Sequence, residues 1–532
     1  MPDMIDFKVK TRELIDDLKS VCANYGLGND GNEFKIITQV FLYKFLNDKF
    51  IYEAKQIDSS LTEEKLSGYN DDDYEMLTIQ LNENTAILKP KQFISSLSNR
   101  QNEASFSDLF DNTLMKIANQ NSSIFSVKTS GGEKVAIFEN ISKYVTDDKD
   151  KFCIAIINKI TGFSFEHIFE EKFDFYASIF EYLIKDYNND SGSTYAEYFT
   201  PHAVAKIMAQ CLVSKDASNV TCYDPSAGSG SLLMNLAHQI GEDKCSIYTQ
   251  DISQKSSHLL RLNLILNNLV HSIPNIVKGN TILEPNNIKN NQKFDYIVSN
   301  PPFKLDFSDF RDDLDKKENN ERFFAGIPKT PKKKKKSMAI YLLFIQHIVY
   351  SLKNNGKAAI VVPTGFITAQ SGIDKKIRTK LIDEKMLTGV VSMPSNIFAT
   401  TGTNVSIIYI DNNNNEDVIL IDASNLGEKI KEGKNQKTVL SNAEEDKIID
   451  TFINKEVVED FSVVVSNEDI KNKNYSFSAG QYFDIKIEYV DLTGDEFKTK
   501  LNKTKHDLEK LFDESKNIEL NIKNNLKDLS FE

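Results

Sequence analysis

From Val9 to about Tyr187 the apolar side chains recur every three or four positions, as in Leu14, Leu18, Val21 and Cys22 and again in Phe34, Ile37, Val40, Phe41, Phe45 and Leu46. That spacing predicts amphipathic helices, and clear strand alternation is lacking. Polar clusters such as Asn70 to Asp73 and Ser130 to Gly132 separate the helices, and the region ends before the turn-rich stretch Asn188 to Ser193. After residue 190 short β-branched runs alternate with helical stretches. Strands are predicted at Val220 to Asp224, Ser246 to Asp251, Asn275 to Lys278, Phe294 to Ser299, Ala358 to Val362, Leu387 to Ser392 and Val405 to Ile410. Helices are predicted at Ala203 to Leu212, Ser229 to Gln239, Lys255 to Asn268, Met338 to Leu352 and Lys375 to Asp383. The alternation implies a doubly wound α/β domain with a parallel sheet, in which ligands sit over the C-terminal strand ends. From Phe497 onward Leu501, Leu508, Leu511, Phe512, Ile518, Ile522, Leu526 and Leu529 form an imperfect heptad-like stripe on a highly charged helix. The expected division is a helical N-terminal domain at 1–170, a catalytic domain at 171–480 and a helical tail at 481–532.

Composition narrows the class. The 532 residues are 40% hydrophobic, which is core-rich enough to fold and excludes a disordered chain. A net charge of −13 argues against a chain that coats nucleic acid by itself, so any polyanion must meet a local basic patch or a partner. The five cysteines are scattered, with no CxxC or CxxH pair, and suggest neither a disulfide framework nor zinc; a reducing cytoplasm fits best. The first residues, MPDMIDFKVK, lack an apolar secretion segment, and no run of 18 apolar residues occurs, so neither export nor membrane spanning is expected. No histidine pair has ligand spacing, so no metal is expected. Pro331 to Lys336 (PKKKKK) and Asn412 to Asn415, the latter after the last expected strand, read as solvated loops. The lysine run follows an NPPF motif, which also puts it within reach of a nucleic-acid backbone.

Three constellations carry candidate chemistry. In Tyr223 to Leu233 (YDPSAGSGSLL) a strand ends on Asp224 and passes through Gly228, Ser229 and Gly230 into a helix. Small residues there let the backbone approach a ligand, and the helix start offers free N–H donors. The spacing is neither GxGxxG nor a P-loop. Asp251, at the end of the next strand, suits the two hydroxyls of a ribose, although Asp224 could simply cap its helix and Asp251 could be an ordinary strand-end acid. Second, Asn300-Pro301-Pro302-Phe303 follows the strand FDYIVS. Two prolines stiffen that strand end, so the Asn carbonyl and an adjacent backbone carbonyl form a two-acceptor clamp for a planar NH₂, with an aromatic ring to stack on a base. A proline-rich loop after a buried strand is the plainer reading. Third, Glu197-Tyr198-Phe199-Thr200-Pro201-His202 precedes a helix; Thr200 as N-cap and Pro201 as its first residue explain part of it, leaving the two aromatics unexplained.

With these residues in view, the chain resembles the modification (M) subunits of type I restriction-modification systems, the N6-adenine DNA methyltransferases. EYFTPH (197–202), DPSAGSG (224–230), NPPF (300–303), KAAIVVPTGFI (357–367) and MPSNIFATTGTN (393–404) occur in the family's order, and VFLYKFLNDKF (40–50) is similar to the family's helical N-terminus. The resemblance implies a Rossmann-like α/β sheet that uses S-adenosylmethionine. Gly228, Ser229 and Gly230 would lie beside the methionine part, Asp251 at the ribose, and Glu197 to His202 over the same cofactor. It also implies a target adenine flipped out of the duplex. Asn300 and the Pro301 carbonyl would hold its N6, and Phe303 would stack on the ring. Where relatives often carry Gly-Asp, this chain has Gly279-Asn280, so an amide replaces an acidic contact to the cofactor's adenine and weaker cofactor binding is expected. The implied partners are double-stranded DNA, an S (specificity) subunit and a second M subunit, with an R (restriction/translocase) subunit left open. Two alternatives stay on the table: methylation of a protein glutamine, whose NH₂ suits the same clamp, and a non-catalytic DNA-clamping assembly subunit.

Overall fold

A computed structural model describes residues 2–28, 31–166, 169, 182, 200–398, 404–432, 435–483 and 493–527. The chain divides into two compact units, 1–482 and 483–532. The boundary expected at residue 170 lies outside the described residues, as do Glu197, Tyr198 and Phe199 and part of the 393–404 stretch.

The first unit is built on one eleven-stranded sheet. In chain order its strands are β1 (Val127–Thr129), β2 (Lys134–Val135), β3 (Val220–Asp224), β4 (Cys245–Asp251), β5 (Ile276–Lys278), β6 (Phe294–Ser299), β7 (Leu352–Pro363), β8 (Leu387–Ser392), β9 (Val405–Asp411), β10 (Val418–Asp422) and β13 (Ser462–Val465). β11 (Glu428–Glu432) and β12 (Asn435–Val439) form a separate hairpin. The spatial order is β13-β10-β8-β9-β7-β6-β3-β4-β5-β1-β2. The central strands read as near-continuous apolar runs because helices cover both faces. Ile360, Ile407 and Ile408 are wholly buried, each contributing about 1.5–3 kcal/mol by leaving water. From β3 the chain first adds β4 and β5 on one side and then β6 and β7 on the other. The order therefore reverses between β3 and β6, which opens a crevice at their C-terminal ends.

Four features differ from the sequence reading. The sheet is mostly parallel, but β9 runs antiparallel to both β7 and β8. Only 393–404 joins β8 to β9, with no helix among its described residues, whereas a parallel return is usually made through a crossover helix. The helical N-terminal region also contributes β1 and β2, with β1 parallel to β5; at three and two residues they are too short to display a period. β9 is not the last strand, since β10 to β13 follow it. The Asn412–Asn415 run is not wholly solvated: Asn414 is buried, its Nδ2 donating to the carbonyls of Leu387 and Glu416. By contrast Lys332 to Lys336 are all exposed.

In the second unit, Gly494–Lys527 is one continuous 34-residue helix. Phe497, Leu501, Leu508, Leu511, Phe512, Ile518 and Ile522 are each at least half exposed along it. Among the described residues no helix is long and apolar enough to cross a membrane.

Candidate active site

The crevice is stitched together from strand ends. At the end of β3, Asp224 is buried and its Oδ1 accepts the Ser226 N–H at 2.9 Å, which shapes the turn. Burial pushes the Asp224 carboxyl up to about 7, with the Asp251 charge adding to the shift. The Ser226 hydroxyl lies 2.8 Å from that of Ser299, tying this turn to the residue before Asn300 at the end of β6. Gly228 and Gly230 both have positive φ, +54° and +85°, and the helix Ser231–Ile240 starts directly after them. A Cβ on Gly230 would run into Leu260, so this position suits only glycine. Ser229 is buried, its carbonyl accepting from Asn263 Nδ2 at 3.1 Å.

Asp251, at the end of β4, receives the Gly228 N–H on Oδ2 at 3.0 Å and the Ser253 N–H on Oδ1 at 2.7 Å. Burial raises its pKa and these two donors oppose the rise. Each oxygen keeps a second lone pair for a ligand hydroxyl. Next to it, the Gly279 N–H bonds the Asp251 carbonyl at 2.9 Å, and Ser130 from the N-terminal region sits where a Gly279 Cβ would be. Asn280 turns its Oδ1 inward, accepting the N–H groups of Ile282 and Leu283 at 3.0 and 3.1 Å. The Thr281 hydroxyl then donates to the Pro225 carbonyl at 2.7 Å, so the turn after β5 is bound to the turn after β3. Ile252 and Leu283 follow these strand ends as exposed apolar side chains.

At the end of β6, Asn300 is half-buried. Its Nδ2 donates to Thr200 Oγ1 at 3.2 Å, and among the described residues no donor reaches its Oδ1. Thr200 is therefore not the helix cap expected from sequence. The helix is His202–Leu212 with Pro201 at the cap position, and the Thr200 hydroxyl turns to Asn300 instead. Pro301 is buried and Pro302 half-buried. Phe303, half-buried, meets Tyr341 edge-on at 6.1 Å between ring centres, which fixes its tilt. His202 lines an open cavity of about 210 Å³ with Lys206, Gln210, Asn235 and His238. Asp224, the glycine turn, Asp251, Asn280, Thr200 and Asn300 are thus linked, directly or through one or two neighbours.

One buried assembly escaped the sequence reading. Arg322, in the segment between NPPF and the helix Tyr341–Ser351, donates to the carbonyls of Thr281 and Ile282, each at 2.8 Å, and through Nε to His347 Nδ1 at 2.9 Å. Since arginine only donates, His347 Nδ1 is an acceptor and its proton sits on Nε2, facing the Tyr223 oxygen at 3.0 Å. Burial and the neighbouring Arg322 and Lys293 charges push the imidazole pKa far down, and burial lowers that of Arg322 to about 10. Gln346 and His347 were the available signal: two polar residues inside the apolar helix YLLFIQHIVYS.

Residues 171–489 match the family model described as N-6 DNA Methylase. The chain is 28% identical over 388 residues to the type I restriction enzyme MpnII methylase subunit of Mycoplasma pneumoniae, covering 70% of this chain and 67% of that one. It is 26% identical over 397 residues to the MjaIX methylase subunit of Methanocaldococcus jannaschii, covering 71% and 67%. Among solved structures, the methyltransferase subunit of a type I restriction-modification system from Streptococcus thermophilus shares the fold, with a TM-score of 0.70 at 22% identity over 90% of this chain and 100% of that one.

Proposed function

The chain belongs to the N-6 DNA methylase family, and we propose that it is the M subunit of a type I restriction-modification system, methylating N6 of adenine in duplex DNA. The observation that carries this reading is the anchored amide of Asn300: with Nδ2 on Thr200, its carbonyl is oriented as an acceptor at the sheet's crossover crevice. S-adenosylmethionine, when bound, supplies an electrophilic methyl on a sulfonium. The residues present fit it. Gly228 brings bare backbone to the crevice beside Asp251, Asp251 retains lone pairs for the ribose hydroxyls, and Ile252 and Leu283 offer apolar surface for the adenine. Asn280, whose Oδ1 already accepts two backbone N–H groups, takes the place of an acid there.

Asn300 Oδ1 and the Pro301 carbonyl accept the two hydrogens of the target amine. This draws the nitrogen out of conjugation with its ring, directs the lone pair at the methyl, and stabilises the positive charge that grows on nitrogen. Phe303 stacks on the base, replacing the neighbours lost when it leaves the duplex. Catalysis is positional, with no covalent enzyme intermediate. DNA sequence is read by an S subunit, and the exposed apolar stripe on Gly494–Lys527 is the surface offered to it, in an assembly containing a second M subunit. To test the reading, purified chain plus its cognate S subunit is incubated with methyl-labelled S-adenosylmethionine and duplex DNA, and the digest is analysed. Label in N6-methyladenine is expected. Label only in protein, or none, defeats the reading.

A further inference from the structure

The segment that links NPPF to the next helix does more than close a loop. Five consecutive lysines, Lys332 to Lys336, are all exposed, and among the described residues none of them makes an ion pair. Lysines in such a run repel one another, and Asp306, whose charge acts on Lys335 and Lys336, offsets only part of that repulsion, so the surplus of cations suits an external anion. The run is anchored. The Lys334 carbonyl accepts the N–H and the hydroxyl of Ser337 at 2.8 and 2.7 Å, and Met338 immediately after is buried in an apolar cluster with Phe307, Phe323 and Leu343. The Leu305 N–H also bonds the Met338 carbonyl at 3.1 Å, so residues two positions past Phe303 lie against the end of the run. Exposed Lys304 adds a sixth cation there. Several acids of the same segment are engaged locally: Asp312 and Asp315 pair with Arg311, and Asp313 pairs with Lys316. The Ser308 hydroxyl and amide, helped by Lys335 and Lys336, hold the Asp306 carboxyl below the usual range.

We propose that Lys332 to Lys336 form a phosphate-binding ridge at the rim of the NPPF pocket, gripping the DNA backbone beside the flipped base. The proposal rests on the methyltransferase reading above. On a chain with net charge −13, a duplex is repelled by much of the surface and is guided to a place where cations collect beside the NPPF segment. The chain bends at Lys334 (φ +61°) and continues as a short 3₁₀ turn, so the ammonium groups fan out and two or three of them reach one strand. Each phosphate neutralised releases about 0.9 counterion from duplex DNA.

The test uses the M subunit with its S subunit, as wild type and as the variant K332Q/K333Q/K334Q/K335Q/K336Q. Fluorescence anisotropy measures duplex affinity across a salt series, calorimetry measures S-adenosylmethionine binding, and methyl transfer is followed in parallel. The expected result is a salt slope shallower by about two to three, affinity at moderate salt reduced roughly ten- to a hundredfold, and cofactor binding unchanged. A variant with the wild-type slope and affinity overturns the proposal while wild-type methylation of adenine leaves the functional reading standing. If the wild type fails to methylate adenine, it is the functional reading that falls.

Discussion

Replacing Arg322 probes how the turn after β5, proposed to face the cofactor, is held. Its guanidinium is buried and serves three acceptors, the carbonyls of Thr281 and Ile282 and His347 Nδ1, at 2.8 to 2.9 Å. Arg322→Met fills similar space and removes the cost of burying a cation, but it strands all three acceptors, each worth about 1–3 kcal/mol when left unsatisfied. The expected loss is about 3–5 kcal/mol, a large fraction of the roughly 5–15 kcal/mol that folds an ordinary domain. Arg322→Lys keeps the charge and reaches one or two acceptors, so it should lose about 2 kcal/mol and still fold. Because Thr281 also donates to the Pro225 carbonyl, loosening 281–282 loosens both turns proposed to hold the cofactor. Chemical denaturation supplies the stabilities, and calorimetry on the folded Arg322→Lys protein should show S-adenosylmethionine binding weakened about tenfold. If Arg322→Met stays within 1 kcal/mol of wild type, or Arg322→Lys binds the cofactor normally, the network does not hold the turn.

Three further outcomes follow from the same geometry. Thr200→Val removes the acceptor for Asn300 Nδ2 and should slow single-turnover methyl transfer up to about tenfold, with Thr200→Ser restoring it; equal rates for Val and Thr would show that the hydrogen bond does not orient the amide. Gly230→Ala meets both a left-handed backbone and Leu260, costing about 2–4 kcal/mol by denaturation, whereas Gly162→Ala, at ordinary φ with open space, should be nearly neutral. His347 has a folded pKa depressed well below its unfolded value near 6.5, so below that pH the unfolded chain takes up a proton the native one refuses, and stability falls with falling pH. The stability gap between wild type and His347→Gln should therefore narrow by about 1.2 kcal/mol from pH 7 to 5.5; a gap independent of pH would mean that the imidazole can charge in place.

β3, β6 and β8 are legible in the sequence to the residue, because each is a short β-branched or aromatic run bounded by polar turns and buried on both faces. The strand ends carrying Asp224, Asp251 and Asn300 were legible for the same reason. The direction of β9 was not, since an apolar run looks the same in either sense. The role of Thr200 was misread because Thr-Pro before an amphipathic helix is the ordinary start signal, and a partner 100 residues away leaves no local trace. Arg322 sits in a charged, surface-like stretch, and its burial depends on carbonyls presented by a turn 40 residues earlier.

In the proposed reaction the Asn300 carbonyl grips the amine that receives the methyl group. Single-turnover transfer of labelled methyl to duplex adenine, compared between wild-type and Asn300→Ala protein with S subunit, DNA and cofactor saturating, tests it most directly. A rate lower by about 10² to 10³ is expected in the variant, with S-adenosylmethionine binding preserved. Transfer at the wild-type rate in Asn300→Ala would contradict it.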